Sequence, residues 1–203
     1  MLFSLGKLFV LEVSLLLTCF LGDHLLTHPV TNQRYLVAIG DSLTHGFVGA
    51  ISWVIVIDAK NRHDIAQCLL CLMFAMAVDV DHFIAAKSLS LEAALSLPSR
   101  PPFHATTVIF LVDLILLIMA AILKSGTPLT LALMFTVAWF SHHVRDGTRR
   151  GLWLPPFTET PPLSGLAYLG LIMVIPLLGR ILYTNWLQFS TDRQLKIIES
   201  NIV

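Results

Sequence analysis

The chain has 203 residues, 56% of them hydrophobic and only 13% charged, and its thirteen Lys and Arg balance thirteen Asp and Glu. A soluble domain carries roughly 25% charged residues and needs far less apolar sequence, so a soluble enzyme is excluded and a bilayer is implied. With no basic or acidic run there is no footing for nucleic acid, which leaves membrane lipids as the surrounding partner.

The expected fold is an all-α polytopic membrane bundle of about six transmembrane helices, forming a single integral domain over residues 1–203. The first span covers 3–26. Its apolar stretch outruns the h-region of a signal peptide, includes Glu12 and lacks a small-residue cleavage site, so a retained span is expected. It ends at Asp23 and His24. The second span, 36–57, carries Asp41 and His45 in its first turns. The third, 65–86, contains Cys68-Leu-Leu-Cys71 and ends in Asp79-Val80-Asp81-His82. A thiol pair inside an apolar helix is a poor redox or zinc motif, because burial disfavours the thiolate.

Ser88 to Leu97 reads as a short interfacial helix before Pro98. The fourth span, 104–123, opens on His104 and holds Asp113 near its middle. The fifth, 128–147, closes on Ser141-His142-His143-Val144-Arg145-Asp146. Trp153 and the prolines that follow suit an interfacial re-entry ahead of the sixth span, 163–187.

Alternating spans place nearly all of these ionisable groups at one membrane face. Such groups are costly in a bilayer and mark function or partnership. Helical spacing sharpens the pattern, since residues three or four apart share a face. Asp41 and His45 are so related, as are Asp79 and His82, and His142 and Asp146. The candidate metal ligands are therefore Asp41, His45, Asp79, His82, His104, His142 and Asp146. Their mixed nitrogen and oxygen donors suit a divalent metal, zinc first, with manganese or iron as alternatives. Seven groups exceed one tetrahedral ion, so two metals, or one metal with catalytic acids, are both open. Asp81 points away from Asp79 on a regular helix. It is expected to steady a ligand imidazole from behind, or to reach the ion by local unwinding. A purely structural His–Asp network and an ion or proton pathway are the competing readings.

The motifs Asp79-Val80-Asp81-His82, His104 and Ser141 to Asp146 resemble the D-x-D-H, T-H-S and S-H-x-x-x-D blocks of bacterial LexA-regulated membrane-bound metal-dependent hydrolases. Thr44-His45-Gly46 resembles the early T-H block of that family. A closer resemblance is to the eukaryotic transmembrane protein 267 family. It is carried by Asp79–Phe83, Ser90–Leu95, Leu97-Pro98, Arg100-Pro101, His104 and Ser141 to Pro156. This resemblance implies a multi-pass eukaryotic membrane protein, with an endomembrane as the expected home. The bacterial H-R-G-x-T-H-S block becomes Ser99-Arg100-Pro101-Pro102-Phe103-His104-Ala105, with Ser99 at its first histidine. His143 or His24 is then the candidate to take that place.

The expected function is a membrane-embedded metal-dependent hydrolase acting on a lipid, or on a lipid-linked phosphoester or ester. Metal-bound water would attack the substrate, Asp81 or Asp146 would take the proton, and Arg145 would stabilise developing negative charge. Arg100, Arg149 and Arg150 share that face and suit a phosphate or lipid head groups. The alternatives are a non-catalytic multi-pass scaffold with a structural, metal-bound or metal-free His/Asp network, and a metal-ion carrier. Six cationic side chains on the site's face against seven opposite leave the positive-inside rule without a preference.

Overall fold

A chain in hydrocarbon must satisfy its backbone internally, and this one does so with helices. The computed structural model describes residues 4–27 and 34–200, with side chains through residue 189 except Leu26. The long helices are α1 (Leu5–Thr27), α2 (Arg34–Ile57) and α3 (Arg62–Ala77), the last continued by α4 (Val80–Ala86). The short α5 (Leu91–Leu95) and a 3-10 turn at Pro102–His104 lead to α6 (Thr107–Leu123) and α7 (Thr127–Arg150). A two-stranded antiparallel hairpin, β1 (Trp153–Leu154) and β2 (Thr158–Glu159), precedes α8 (Gly165–Ser200).

Four stretches are long and apolar enough to cross a membrane: Leu5–Leu25, Arg34–Ile57, Arg62–Ala86 and Gly165–Phe189. The chain is thus an integral, multi-pass, all-α bundle. Length and composition support four crossings rather than the expected six, and the reasons differ for the other two. Helix α6 has 17 residues, about 25 Å at the helical rise, short of a ~30 Å hydrocarbon core. Helix α7 is long enough but carries the polar series from Ser141 to Arg150. It packs against α2, α3, α6 and α8, so Ser141, His142, His143 and Arg145 face neighbours and not lipid. The outer faces of the other helices carry Phe9, Phe20, Met73, Phe110, Ile122 and Leu178, all exposed.

Helix α2 is the pivot, packing on α1, α3, α7 and α8. Its approach to α3 depends on Gly49, where a Cβ would stand 2.9 Å from the Ala75 Cβ and 3.3 Å from the Cys71 carbonyl oxygen. Small residues at such crossings let backbones close up in membranes. The Cys71 thiol lies 3.3 Å from the Gly49 carbonyl oxygen and donates to it. Cys19, Cys68 and Cys71 are all free and buried.

The end of the bundle remote from the polar motifs is tied by charge. Asp58, just past α2 with φ of 53°, accepts from Lys7 on α1 and from Lys60, each at 2.6 Å. Burial works against the Asp58 carboxylate, but the two ammonium groups hold its pKa below the usual value. Asn61 and Asp64 then start α3 as a reciprocal capping box.

Candidate metal centre

Between α3 and α4 the backbone tightens. The amides of Asp79, Asp81 and His82 donate to carbonyls three residues back, from Met76, Val78 and Asp79. In a 3-10 turn side chains three apart eclipse one another, so Asp79 and His82 present their polar atoms to one place. Of the two readings of Asp81, local unwinding is not what the backbone does here: it tightens. Asp81 leaves on another side, fully buried. There it accepts from the Phe103 amide at 2.6 Å and from His104 Nδ1 at 3.3 Å.

The turn at Pro102–His104 brings His104 in as a wedge between the two carboxylates. Its Nδ1 is held by Asp81, and its Nε2 lies 4.0 Å from Asp79 and 3.4 Å from Asp146. His104 lies ahead of α6, outside the apolar segment. Burial opposes a charge on its ring, yet Asp146 and Asp81 raise its pKa to about 9. The two carboxylates thus favour positive charge at this point.

Helix α7 supplies the centre of the site. His142 donates Nδ1 to the Ala75 carbonyl at 2.9 Å, which leaves its Nε2 with a lone pair. That nitrogen faces Asp79 at 3.6 Å and Asp146 at 3.4 Å. His45 comes from α2 and stacks on His142 with ring centroids 3.6 Å apart. Its Nε2 lies 3.5 Å from Asp146. His82 donates Nδ1 to the Ala94 carbonyl at 3.1 Å, again freeing Nε2. Three histidines are therefore fixed through one ring nitrogen by a carboxylate or carbonyl, the arrangement that orients imidazoles toward metals.

Three trios bring their donor atoms within 4.8 Å of one another: His45, Asp79 and His142; Asp79, His82 and His104; and His104, His142 and Asp146. Six of the seven expected ligands are thereby gathered. Asp41 lies 3.8 Å from His45 Nε2 but is engaged elsewhere. It accepts from Arg145 Nη1 at 2.5 Å and from Arg149 Nη2 at 3.1 Å.

A metal fits this donor set on grounds internal to the structure. His45 Nε2, His142 Nε2 and Asp146 Oδ1 are buried without a hydrogen-bond partner, although both nitrogens lie within 3.5 Å of an Asp146 oxygen. Buried polar atoms left in this way cost free energy unless something ligates them.

Of the proposed catalytic groups, Asp146 borders a cavity of about 760 Å³. So do Asp79, His82, His104 and His143, while Leu43, Met73, Met76, Phe83, Leu91 and Leu95 form apolar wall. Asp81 is held behind His104. Arg145 is buried to 1% exposure and bonded to Asp23 at 3.1 Å and to Asp41. The arginines bordering the cavity are Arg100, Arg149 and Arg150. Arg100 also donates to the carbonyls of Arg150 and Gly151, pinning the segment before α6 to the chain beyond α7. His143 donates Nε2 to the Phe103 carbonyl at 2.9 Å and joins none of the trios. Neither does His24, whose ring stacks near Phe20.

Sequence reasoning missed the backbone carbonyls of Ala75 and Ala94, which carry no side-chain signal. It also missed the ion chain Asp23–Arg145–Asp41–Arg149. The spacing of Arg145 and Arg149, one helical turn apart on the same helix, was the available clue.

The chain is 39% identical to transmembrane protein 267 of Mus musculus over 167 residues, covering 81% of this chain and 78% of that protein. It is 38% identical to transmembrane protein 267 of Danio rerio over 183 residues, covering 89% and 82%. With transmembrane protein 267 of Bos taurus the identity is 40% over 162 residues, covering 79% and 75%. No protein-family model and no solved structure matches the chain. The bacterial resemblance gains no support from these comparisons.

Proposed function

The chain belongs to the transmembrane protein 267 family, and on that premise we propose a multi-pass membrane protein whose helix ends are clasped by a divalent metal. Zinc is the first choice for such a nitrogen and oxygen set, ahead of manganese and iron. In this reading α6 and α7 complete six crossings, α7 being the inner helix that carries the ligands. The observation behind the proposal is that the orphaned His45 Nε2 and His142 Nε2 meet the two oxygens of Asp146, Oδ1 at 3.5 Å and Oδ2 at 3.4 Å. When bound, the metal supplies the positive charge and the donor pairing that these atoms lack. The test is metal content by mass spectrometry on detergent-purified protein, wild type beside His142→Ala. Metal in the wild type that is lost in the variant supports the clasp. A wild type free of metal after chelator-free purification leaves a hydrogen-bonded scaffold.

The cavity favours a second reading, the hydrolase. Asp79, His82, His104 and Asp146 border it beside an apolar wall, a combination suited to an amphipathic ester or phosphoester. Asp146 would then take a proton from attacking water, and Arg149, not Arg145, would meet negative charge. Asp81 would act through His104, holding its ring in place. Release of phosphate or fatty acid from a lipid panel, abolished in Asp146→Asn, would establish this reading. Turnover unchanged in that variant would remove it.

A further inference from the structure

The three trios overlap without merging. His45 and His82 each share a trio with Asp79, yet no trio among the described residues holds both. Ligands of one ion at zinc or manganese distances, about 2.1 Å, stand at most about 4.2 Å from each other. Six donor residues in three overlapping trios also exceed the four ligands of one tetrahedral ion.

Asp146 spans both groups of imidazoles. Its Oδ1 lies 3.5 Å from His45, and its Oδ2 lies 3.4 Å from both His104 and His142. Asp79 Oδ1 lies between His142 and His104, at 3.6 and 4.0 Å. Two carboxylates are thus placed between two pairs of imidazoles.

The pairs also differ in access. His45 and His142 are buried to 1% and 0% exposure and do not border the cavity, whereas His82 and His104 do. Buried unpartnered nitrogens at His45 and His142 make the inner half more than an acidic cluster.

We propose that the site is dinuclear: an inner ion on His45 and His142, an outer ion on His82 and His104, and Asp79 and Asp146 shared between them. This rests on the metal clasp proposed above. Carboxylates set between two ions, with imidazoles on each, parallel the inward-facing ligand sets of di-metal helix bundles, though with more histidine and fewer carboxylates. The outer ion, next to the cavity, keeps room for an external ligand, while the inner ion is closed off by protein.

The test combines stoichiometry with a spectrum that needs no variant. Purified protein is loaded with Mn²⁺, desalted, and measured for ions per chain and by electron paramagnetic resonance. Two ions per chain with an exchange-coupled spectrum are expected. His45→Ala and His82→Ala should each retain one ion with an uncoupled six-line signal, and EDTA should strip the wild type in two phases. One ion per chain with an uncoupled signal overturns the dinuclear site and leaves the clasp standing. No ion overturns both. Should either variant aggregate, the wild-type spectrum alone decides between one ion and two.

Discussion

Asp81 grips His104 from behind. The carboxylate, with no exposed surface, meets His104 Nδ1 at 3.3 Å and leaves Nε2 turned toward Asp79 and Asp146. Replacing Asp81 with Asn keeps an oxygen for the Phe103 amide but removes the negative partner of His104. Outer partners of metal-bound histidines are worth about 10–100-fold in affinity. Asp81→Asn should therefore weaken metal binding by that factor while the protein remains monodisperse. Competition with a fluorescent chelator checks it, and unchanged affinity would separate Asp81 from the metal.

Arg145 and Arg149 share Asp41 but not its burial. Arg145 is 1% exposed and Arg149 46% exposed. Truncating one partner of a buried ion pair costs about 3–5 kcal/mol, because its partners are left in the protein unpaired. Truncating an exposed one costs about 0–1 kcal/mol. Arg145→Ala should thus lower the thermal midpoint in detergent strongly, and Arg149→Ala hardly at all. Similar losses in both variants would contradict the assignment.

Gly49 sets the distance between α2 and α3. A Val there would drive side-chain atoms into Ala75 and the Cys71 carbonyl, an overpacking that costs about 1–3 kcal/mol. Displacement of α2 also moves His45 from His142. Gly49→Val should lower thermal stability and metal content together, whereas Gly6→Ala, at an exposed position of α1, should change neither. Differential scanning fluorimetry with parallel metal analysis distinguishes the two.

The lysine pair around Asp58 predicts a pH dependence with a definite sign. Because the folded carboxyl has a lowered pKa, its stabilisation is complete above the unfolded value, near pH 4. It is lost as pH falls through the lower folded value. Asp58→Asn abolishes this contribution, so its midpoint should lie below wild type at pH 6 and converge on it toward pH 3. A constant offset across that range would show that Asp58 acts by packing and not by charge.

The gathering of Asp79, His82, His104, His142 and Asp146 was legible because alternating spans and turn spacing leave their polar groups few other places to meet. The division of labour was not. Asp41 stands one turn from His45, as a ligand would, but a guanidinium from a segment 104 residues away claims it. That is a tertiary fact with no local trace. The six-span count followed apolar runs. Whether a short or polar run crosses depends on what covers it, and α7 is covered by four helices. The turn at Val78–Asp79 has no Gly or Pro to announce it, so the eclipse of Asp79 over His82 emerged only with the backbone. Ser99 suggested a missing ligand, whereas the trios gather six donor residues from α2, α4, α7 and the turns at Asp79 and His104.

The bonds from Arg145 reach back 122 residues to Asp23 and 104 residues to Asp41. At the pace of synthesis, roughly 5–20 residues per second, Asp41 waits about 5–20 seconds for its counter-ion to be made. Through that interval the first two helices carry bare carboxylates at the membrane edge, where water and lipid head groups must keep them. The finished helix bundle therefore cannot lock from its N-terminus forward, because the clasp on Asp23 and Asp41 closes only once α7 is made.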